Sequence, residues 1–198
     1  QSIIRSEKRG ARATFNTAID FDGVEATFIY GIDALKDTTS QPLVDGRVWV
    51  PEMEMDSLAG FLQTKWVIHD DVIVKAGVRR ESIDLSVDDY ETLKLCRSET
   101  QCSVPLQVKG DTIDYDATTY NIAIKYNWSD SFSPFFNYSQ GSDIADIGRL
   151  LRAATVDDIG LIQTEASIID NYEVGFTSLF DQVRLEVAAY RSTSELGT

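Results

Sequence analysis

Residues 57–82, SLAGFLQTKWVIHDDVIVKAGVRRES, decide the fold. From Ser57 to Val67 the side chains alternate, with Leu58, Gly60, Leu62, Thr64 and Trp66 on one face and Ala59, Phe61, Gln63 and Lys65 on the other. Ile68-His69-Asp70-Asp71 then breaks the run, and Val72 to Ser82 alternates again, Val72, Val74, Ala76 and Val78 against Lys75, Gly77, Arg79 and Glu81. Two period-two runs around a short polar break read as a β-hairpin, because Asp and its neighbours tolerate the positive φ that tight turns need.

The same unit recurs on both sides. Ala11–Ile19 and Val24–Ala34 flank Asp20-Phe21-Asp22-Gly23, and Thr118–Trp128 and Phe132–Gln140 flank Ser129-Asp130-Ser131. Ile168–Thr177 is followed by Ser178-Leu179-Phe180-Asp181 and a last run through Val183, Leu185, Val187 and Ala189. The pattern predicts eight strands, with short turns alternating with long polar connections at Leu35–Asp56, Asp84–Ala117 and Gly141–Ser167. Short turns on one side and long loops on the other are the architecture of a transmembrane β-barrel. Gln63, Lys65, Lys75, Arg79, Asn121, Lys125 and Glu173 fall on the polar face, as a wet interior requires. Trp66, Tyr126, Trp128, Phe132 and Phe180 gather at the short-turn side, matching an interfacial aromatic girdle. Alternation alone also allows a soluble, secreted β-sandwich binding module, in which those rings are simply core.

The formal charge of the 198-residue chain is -14. That excludes a nucleic-acid partner, since a phosphate-binding surface needs surplus Lys and Arg. No stretch approaches eighteen consecutive apolar residues, which excludes a membrane-spanning helix and leaves a spanning strand open. Cys96 and Cys102 stand six apart in a polar segment, a spacing that permits a small disulfide loop; lone thiols are the bland alternative. Neither Gln1, without an initiator Met or leader, nor Thr198 reads as a natural end, so a piece of a larger protein is expected.

Several strings resemble a known family in its own order. Leu58-Ala59-Gly60-Phe61-Leu62-Gln63 followed by Lys75-Ala76-Gly77-Val78-Arg79-Arg80-Glu81 is similar to a strand pair of TonB-dependent receptors. Phe136-Asn137-Tyr138-Ser139-Gln140-Gly141, Asp146-Ile147-Gly148-Arg149, Asp170-Asn171-Tyr172-Glu173-Val174-Gly175-Phe176 and Ala188-Ala189-Tyr190-Arg191-Ser192 continue the series. Each string is weak alone, and the order and spacing make the set specific. Arg80 replaces the family's usual aromatic, and Gly141-Ser142 replaces a Gly-Phe.

The resemblance runs from about Arg9 to Thr198 and is strongest towards receptors for ferric hydroxamate and carboxylate siderophores of the aerobactin-receptor kind. It implies an all-β, antiparallel transmembrane barrel of which residues 1–198 supply roughly eight of about twenty-two strands. It implies short periplasmic turns, long extracellular loops and a Gram-negative outer-membrane location, with lipid against the barrel wall. The family's plug domain and its TonB-contacting box are not in these residues, nor is its C-terminal strand. The expected partners are a ferric siderophore outside and TonB through the plug.

An enzymatic reading has little support. The single histidine, His69, lies in a turn, and adjacent carboxylates such as Asp88 and Asp89 point to opposite faces of a strand. Asp84, Asp88, Asp89, Asp157 and Asp158 lack the spacing and Gly of a calcium loop and read as solvated loop charge, and no resident cofactor or metal is expected. A bulky anionic chelate calls for aromatic surfaces and cations at the loop end. The candidate ligand-binding residues are Arg47, Trp49, Tyr90, Arg97, Arg149 and Arg152.

Overall fold

The structure is a computed structural model that describes residues 1–96, 101–144, 146–161 and 166–194. Eight long strands form one antiparallel meander: β1 (Arg5–Phe21), β2 (Val24–Pro42), β3 (Val48–Ile68), β4 (Val72–Val87), β7 (Asp111–Tyr126), β8 (Phe132–Asp143), β9 (Ser167–Phe180) and β10 (Val183–Ser194). Two short strands, β5 (Tyr90–Glu91) and β6 (Gln107–Val108), pair separately between β4 and β7. The sheet does not close on itself, and β1 and β10 are its edges. Eight hydrogen-bonded neighbours in one sheet correct the β-sandwich alternative, which needs two long sheets packed face to face.

The turn residues act as the sequence requires. Asp22 and Gly23 both take positive φ between β1 and β2, His69 and Asp70 do so between β3 and β4, and Asp181 does so between β9 and β10. The register then places every polar residue named above on one face. Gln63, Gly77 and Asn121 lie side by side, as do Lys65 and Lys75, while Asn137 stands beside Glu173. We call this the inner face. Phe28, Leu62, Ile122 and Val187 share the other, outer face.

On the outer face the apolar band has a clear upper edge. It runs from the short turns up to Ile32, Leu58 and Val78, and above it Lys36, Asp56, Asp84 and Asp114 stand side by side across four strands. The band spans Val24–Ile32 on β2 and Leu58–Ile68 on β3, close to the roughly 9–11 residues with which a strand crosses bilayer hydrocarbon, and is shorter on β4, where it spans Val72–Val78. Near its lower edge Phe28 packs on Trp66, Tyr126 on Trp128 and Phe132 on Phe176, with ring centroids 5.3–5.8 Å apart.

The strands do not stop at the band, and here the structure departs from the sequence reading. Residues 35–56, expected as a loop, are mostly the upper halves of a hairpin: β2 is 19 residues long, β3 is 21, and only residues 43–47 connect them. β4 likewise runs on to Val87, and β7 starts at Asp111. Above the apolar band both faces of a strand can be polar, so the apolar alternation ends there although the hydrogen-bond ladder continues.

The two remaining connections fold inward. The described residues of the 88–110 connection, with β5 and β6, and of the 144–166 connection, with helix α1 (Ile147–Arg152) and a 3-10 turn (Ile159–Leu161), pack against the loop end of the inner face. Tyr90, Val108, Leu151 and Ile159 meet Leu85, Val87 and Tyr115 in an apolar core where Leu151 and Ile159 are 0% exposed. Lys109 ties the two connections: its amide donates to the Asp157 carbonyl at 2.8 Å and its carbonyl accepts from the Ile159 amide at 3.2 Å. The disulfide between Cys96 and Cys102 is formed. This cap covers the inner face from the row of Ser57 and Ile83 upward.

Candidate ligand-binding site

The cap and the β2–β3 hairpin hold the residues that the sequence marked for binding. α1 starts where the Asp146 carboxylate accepts the Arg149 amide at 3.0 Å, satisfying a donor that the first helical turn leaves free. Ile147 and Leu151 anchor the helix into the cap core, which turns Arg149 outward. Arg149 and Arg152 are three positions apart and so neighbours on the helix surface. The Arg152 guanidinium lies 5.8 Å from the centroid of Trp49, whose ring is half-buried on β3. A cation above an indole face is attracted by the ring quadrupole, so this contact fixes both groups. Trp49 and Arg152 are therefore brought together from two segments a hundred residues apart in sequence, with Arg149 exposed one helical turn before Arg152.

The other marked residues lie elsewhere. Arg47 sits in the hairpin connection and grips Asp45 through Nε at 3.0 Å and Nη2 at 2.7 Å, while its amide donates to the same carboxylate at 3.1 Å. That bonding holds the Asp45 carboxyl below its ordinary range and the Arg47 guanidinium above its own. Tyr90 is turned into the cap, 8% exposed, with its hydroxyl donating to the Leu151 carbonyl at 2.9 Å. Burial pushes its phenol up to about 12. Arg97 lies outside the described residues. His69 is exposed in its turn, its ring over Gly23 of the neighbouring turn. The acidic groups of the connections serve the loops: Asp89 accepts the Gly110 amide at 2.6 Å, and Asp158 faces Lys109 at 3.5 Å and accepts the Gly160 amide at 2.9 Å. Among the described residues no three metal-ligating side chains converge.

Beside Arg149 the structure opens a cavity of about 270 Å³ that sequence reasoning missed. Its wall is Met53, Met55, Ile83, Leu85 and Ile147, with the Asp37 carboxylate at the rim. The signal was present as Met53 and Met55 two apart, the spacing of one strand face, in a segment read as loop.

Further down the inner face two tiers differ in charge. In the upper tier, Asp33 accepts hydrogen bonds from Arg12 at 3.1 Å and from Arg79 at 2.6 Å, Arg79 also faces Glu81 at 3.4 Å, and Ser57 donates to Glu81 at 2.6 Å. Two cations and two carboxylates thus close on one another across the sheet. In the lower tier, nearest the short turns, Lys65, Lys75 and Lys125 share the face with Glu25 and Glu173, and the three lysines make no ion pair among the described residues.

Comparison with known proteins agrees with the geometry. The family model described as TonB dependent receptor-like, beta-barrel matches residues 5–195. The ferric aerobactin receptor of Klebsiella pneumoniae is 23% identical over 167 residues, which are 73% of this chain and 22% of that protein. The rhizobactin receptor of Rhizobium meliloti is 23% identical over 162 residues, 73% of this chain and 21% of that one. This chain thus spans about a fifth of the length of the curated relatives it matches. Among solved structures, the ferric-catecholate import receptor Fiu from Escherichia coli K12 superposes with a TM-score of 0.76 at 11% identity, covering 97% of this chain and 32% of that one.

Proposed function

Because the chain belongs to the TonB-dependent receptor-like β-barrel family of the Gram-negative outer membrane, we propose that it supplies eight adjacent wall strands and part of the extracellular mouth of a receptor that imports ferric siderophores. All of residues 1–198 go to the barrel domain in this reading, and the plug that contacts TonB belongs to another part of the parent protein. The outer apolar band meets outer-membrane lipid, and the inner face lines the passage.

The observation that carries the binding role is the group Trp49, Arg149 and Arg152 at the loop end. A ferric siderophore with carboxylate and hydroxamate arms is a compact anion with flat apolar surface. Two guanidiniums beside an indole offer it charge-assisted hydrogen bonds and a stacking face. The sequence kinship with an aerobactin and a rhizobactin receptor favours that class of chelate over a catecholate. Tyr90 and Arg47 serve this site indirectly, one as an anchor of the cap and the other by holding the hairpin tip.

The test uses the full-length parent protein in an iron-starved Gram-negative strain that lacks its other siderophore receptors. Expected is uptake of radiolabelled ferric aerobactin that stops when the inner-membrane proton gradient is collapsed. Each lost charged hydrogen bond is worth about 1.5–3 kcal/mol, so Arg149→Ala with Arg152→Ala should weaken binding at least about tenfold. Purified wild-type protein that binds no ferric hydroxamate or carboxylate chelate sinks the reading.

A further inference from the structure

The cavity under α1 is a feature that the stability of the cap does not explain. The core beside it closes fully around Leu151 and Ile159, whereas Met53, Met55, Ile83, Leu85, Ile144 and Ile147 stand back around a space of about 270 Å³ between α1 and the inner face of β3 and β4. Protein interiors are close-packed, and an apolar space next to a packed core costs stability.

Gly148 sharpens the anomaly. It lines the same cavity from inside α1, where glycine is a poor helix former, and its φ is not positive. A Cβ there would stand 3.5 Å from the Asp146 carboxylate, 3.7 Å from Val50 and 4.0 Å from the Met53 methyl, all ordinary contacts. Neither backbone nor crowding therefore calls for glycine, and a larger side chain would extend towards Met53 and narrow the cavity. Both methionines of the chain line it, and unbranched thioether side chains re-pack around guests of differing shape.

The polar groups at the rim are already engaged. Lys8 meets the Asp37 carboxylate at 2.9 Å, the Thr39 hydroxyl donates to it at 3.3 Å, and the Asp146 carboxylate accepts the Arg149 amide at 3.0 Å. What the cavity offers an incoming group is apolar contact. Its size is just below the roughly 300–1,000 Å³ of sites that hold a whole small molecule, so it suits one arm of a ligand held elsewhere. The place for the remainder adjoins it, because the Gly148 end faces Val50, the neighbour of Trp49, and Gly148 directly precedes Arg149.

We propose that this cavity seats a short acyl arm of the chelate whose anionic head meets Trp49, Arg149 and Arg152, so that Met53, Met55, Ile83 and Ile147 select acylated chelates over bare ones. The chelate in this inference rests on the function proposed above; the apolar chemistry of the cavity does not.

The test uses the full-length parent protein in lipid nanodiscs, with the signal of empty discs subtracted, and two ferric citrate-hydroxamate chelates that differ only in carrying an octanoyl or an acetyl group on one hydroxamate. Each buried methylene adds severalfold in affinity, so wild type should prefer the octanoyl chelate at least about tenfold, and the preference should fall to about one in both G148L and M55F, which fill the cavity. Equal affinity of wild type for the two chelates overturns the proposal, and so does a preference that survives in both variants. Metal-free octanohydroxamic acid with a chain-terminal diazirine probes the cavity without iron: irradiation should label residues 53–55 or 146–148. Wild-type protein unlabelled there overturns the proposal, because other parts of the parent protein then fill the cavity. Labelling there with no binding of either ferric chelate upholds the acyl site and sinks the transport reading instead.

Discussion

The two ends of the inner face solve the same problem in opposite ways. At the loop end the strands rise above the membrane, and the chain covers its own inner face with a cap whose core is apolar and whose neighbouring charges are closed into Arg12, Asp33, Arg79 and Glu81. At the turn end the described residues leave the inner face uncovered, and Lys65, Lys75 and Lys125 share it with Glu25 and Glu173 without closing an ion pair among the described residues. A polar group inside a wall needs a partner, supplied by the chain, by water or by something that arrives. The loop end is self-sufficient in this respect, and the turn end, among the described residues, is not. Substitutions that remove internal partners should therefore cost stability at the loop end, while substitutions of the turn-end lysines should leave it unchanged.

The largest expected effect lies in the cap core. Leu151 is fully buried, and Leu151→Ala removes a side chain that α1 uses to hold the two connections together. About 2–5 kcal/mol of local stability should go, seen as faster hydrogen exchange at residues 90–92, 106–109 and 147–152 with the membrane-spanning amides unchanged. If exchange accelerates equally throughout the wall, the cap is not a separate unit and the contrast between the ends dissolves. A smaller effect is expected at Asp33→Asn, which keeps the shape and removes the charge that Arg12 and Arg79 share. The loss should be about 1.5–3 kcal/mol in chemical unfolding from detergent, because the hydrogen bonds given up are to charged groups. Lys65→Gln should leave the same unfolding curve unmoved or raise it, since it relieves a like-charge pair.

The spanning part of this molecule was legible in the sequence and the rest was not, for one physical reason. Lipid outside and water inside force strict alternation, so the spanning stretches of 24–34, 57–67, 72–82 and 118–128 could be read residue by residue, down to the faces of Phe28, Leu62 and Ile122. Once β2 and β3 pass Ala34 and Leu58 that solvent contrast ends, and residues 35–56 looked like loop although the ladder runs on to Pro42 and Val48. The site was legible only by residue type. Trp49 and Arg152 were marked as aromatic and cation, but their meeting depends on how α1 docks, a contact between segments far apart in sequence that no local pattern encodes. Tyr90 was marked as a loop-end aromatic, and what the sequence could not reveal is that Leu151, sixty-one positions on, offers a carbonyl to its hydroxyl. The lysine pair was placed on the right face, but that Lys65 sits directly opposite Lys75 follows from the turn at His69 and Asp70, which sets the register.

The smallest effect, and the sharpest test of the cap as a closed unit, is its response to alkali. In the unfolded connection the Tyr90 phenol ionises near 10, whereas in the folded cap it is pushed up to about 12 by burial. The folded state thus favours the neutral phenol, and the stability this contributes is complete below pH 10 and is withdrawn as the pH rises from 10 towards 12. Cap protection in hydrogen exchange, or resistance of residues 88–110 to a protease active in alkali, should hold to about pH 10 and fall above it. Tyr90→Phe gives up the hydrogen bond to the Leu151 carbonyl, about 0.5–1.5 kcal/mol at neutral pH, and should lose less protection than wild type between pH 10 and 12, because nothing buried there remains to ionise. Every other titrating group is common to the two proteins, so the difference between the two curves belongs to Tyr90. Phenolate absorbance read as wild type minus Tyr90→Phe should rise with a midpoint near 12; a midpoint at 10 would mean that water reaches the Tyr90 hydroxyl and that the loop end is as open as the turn end.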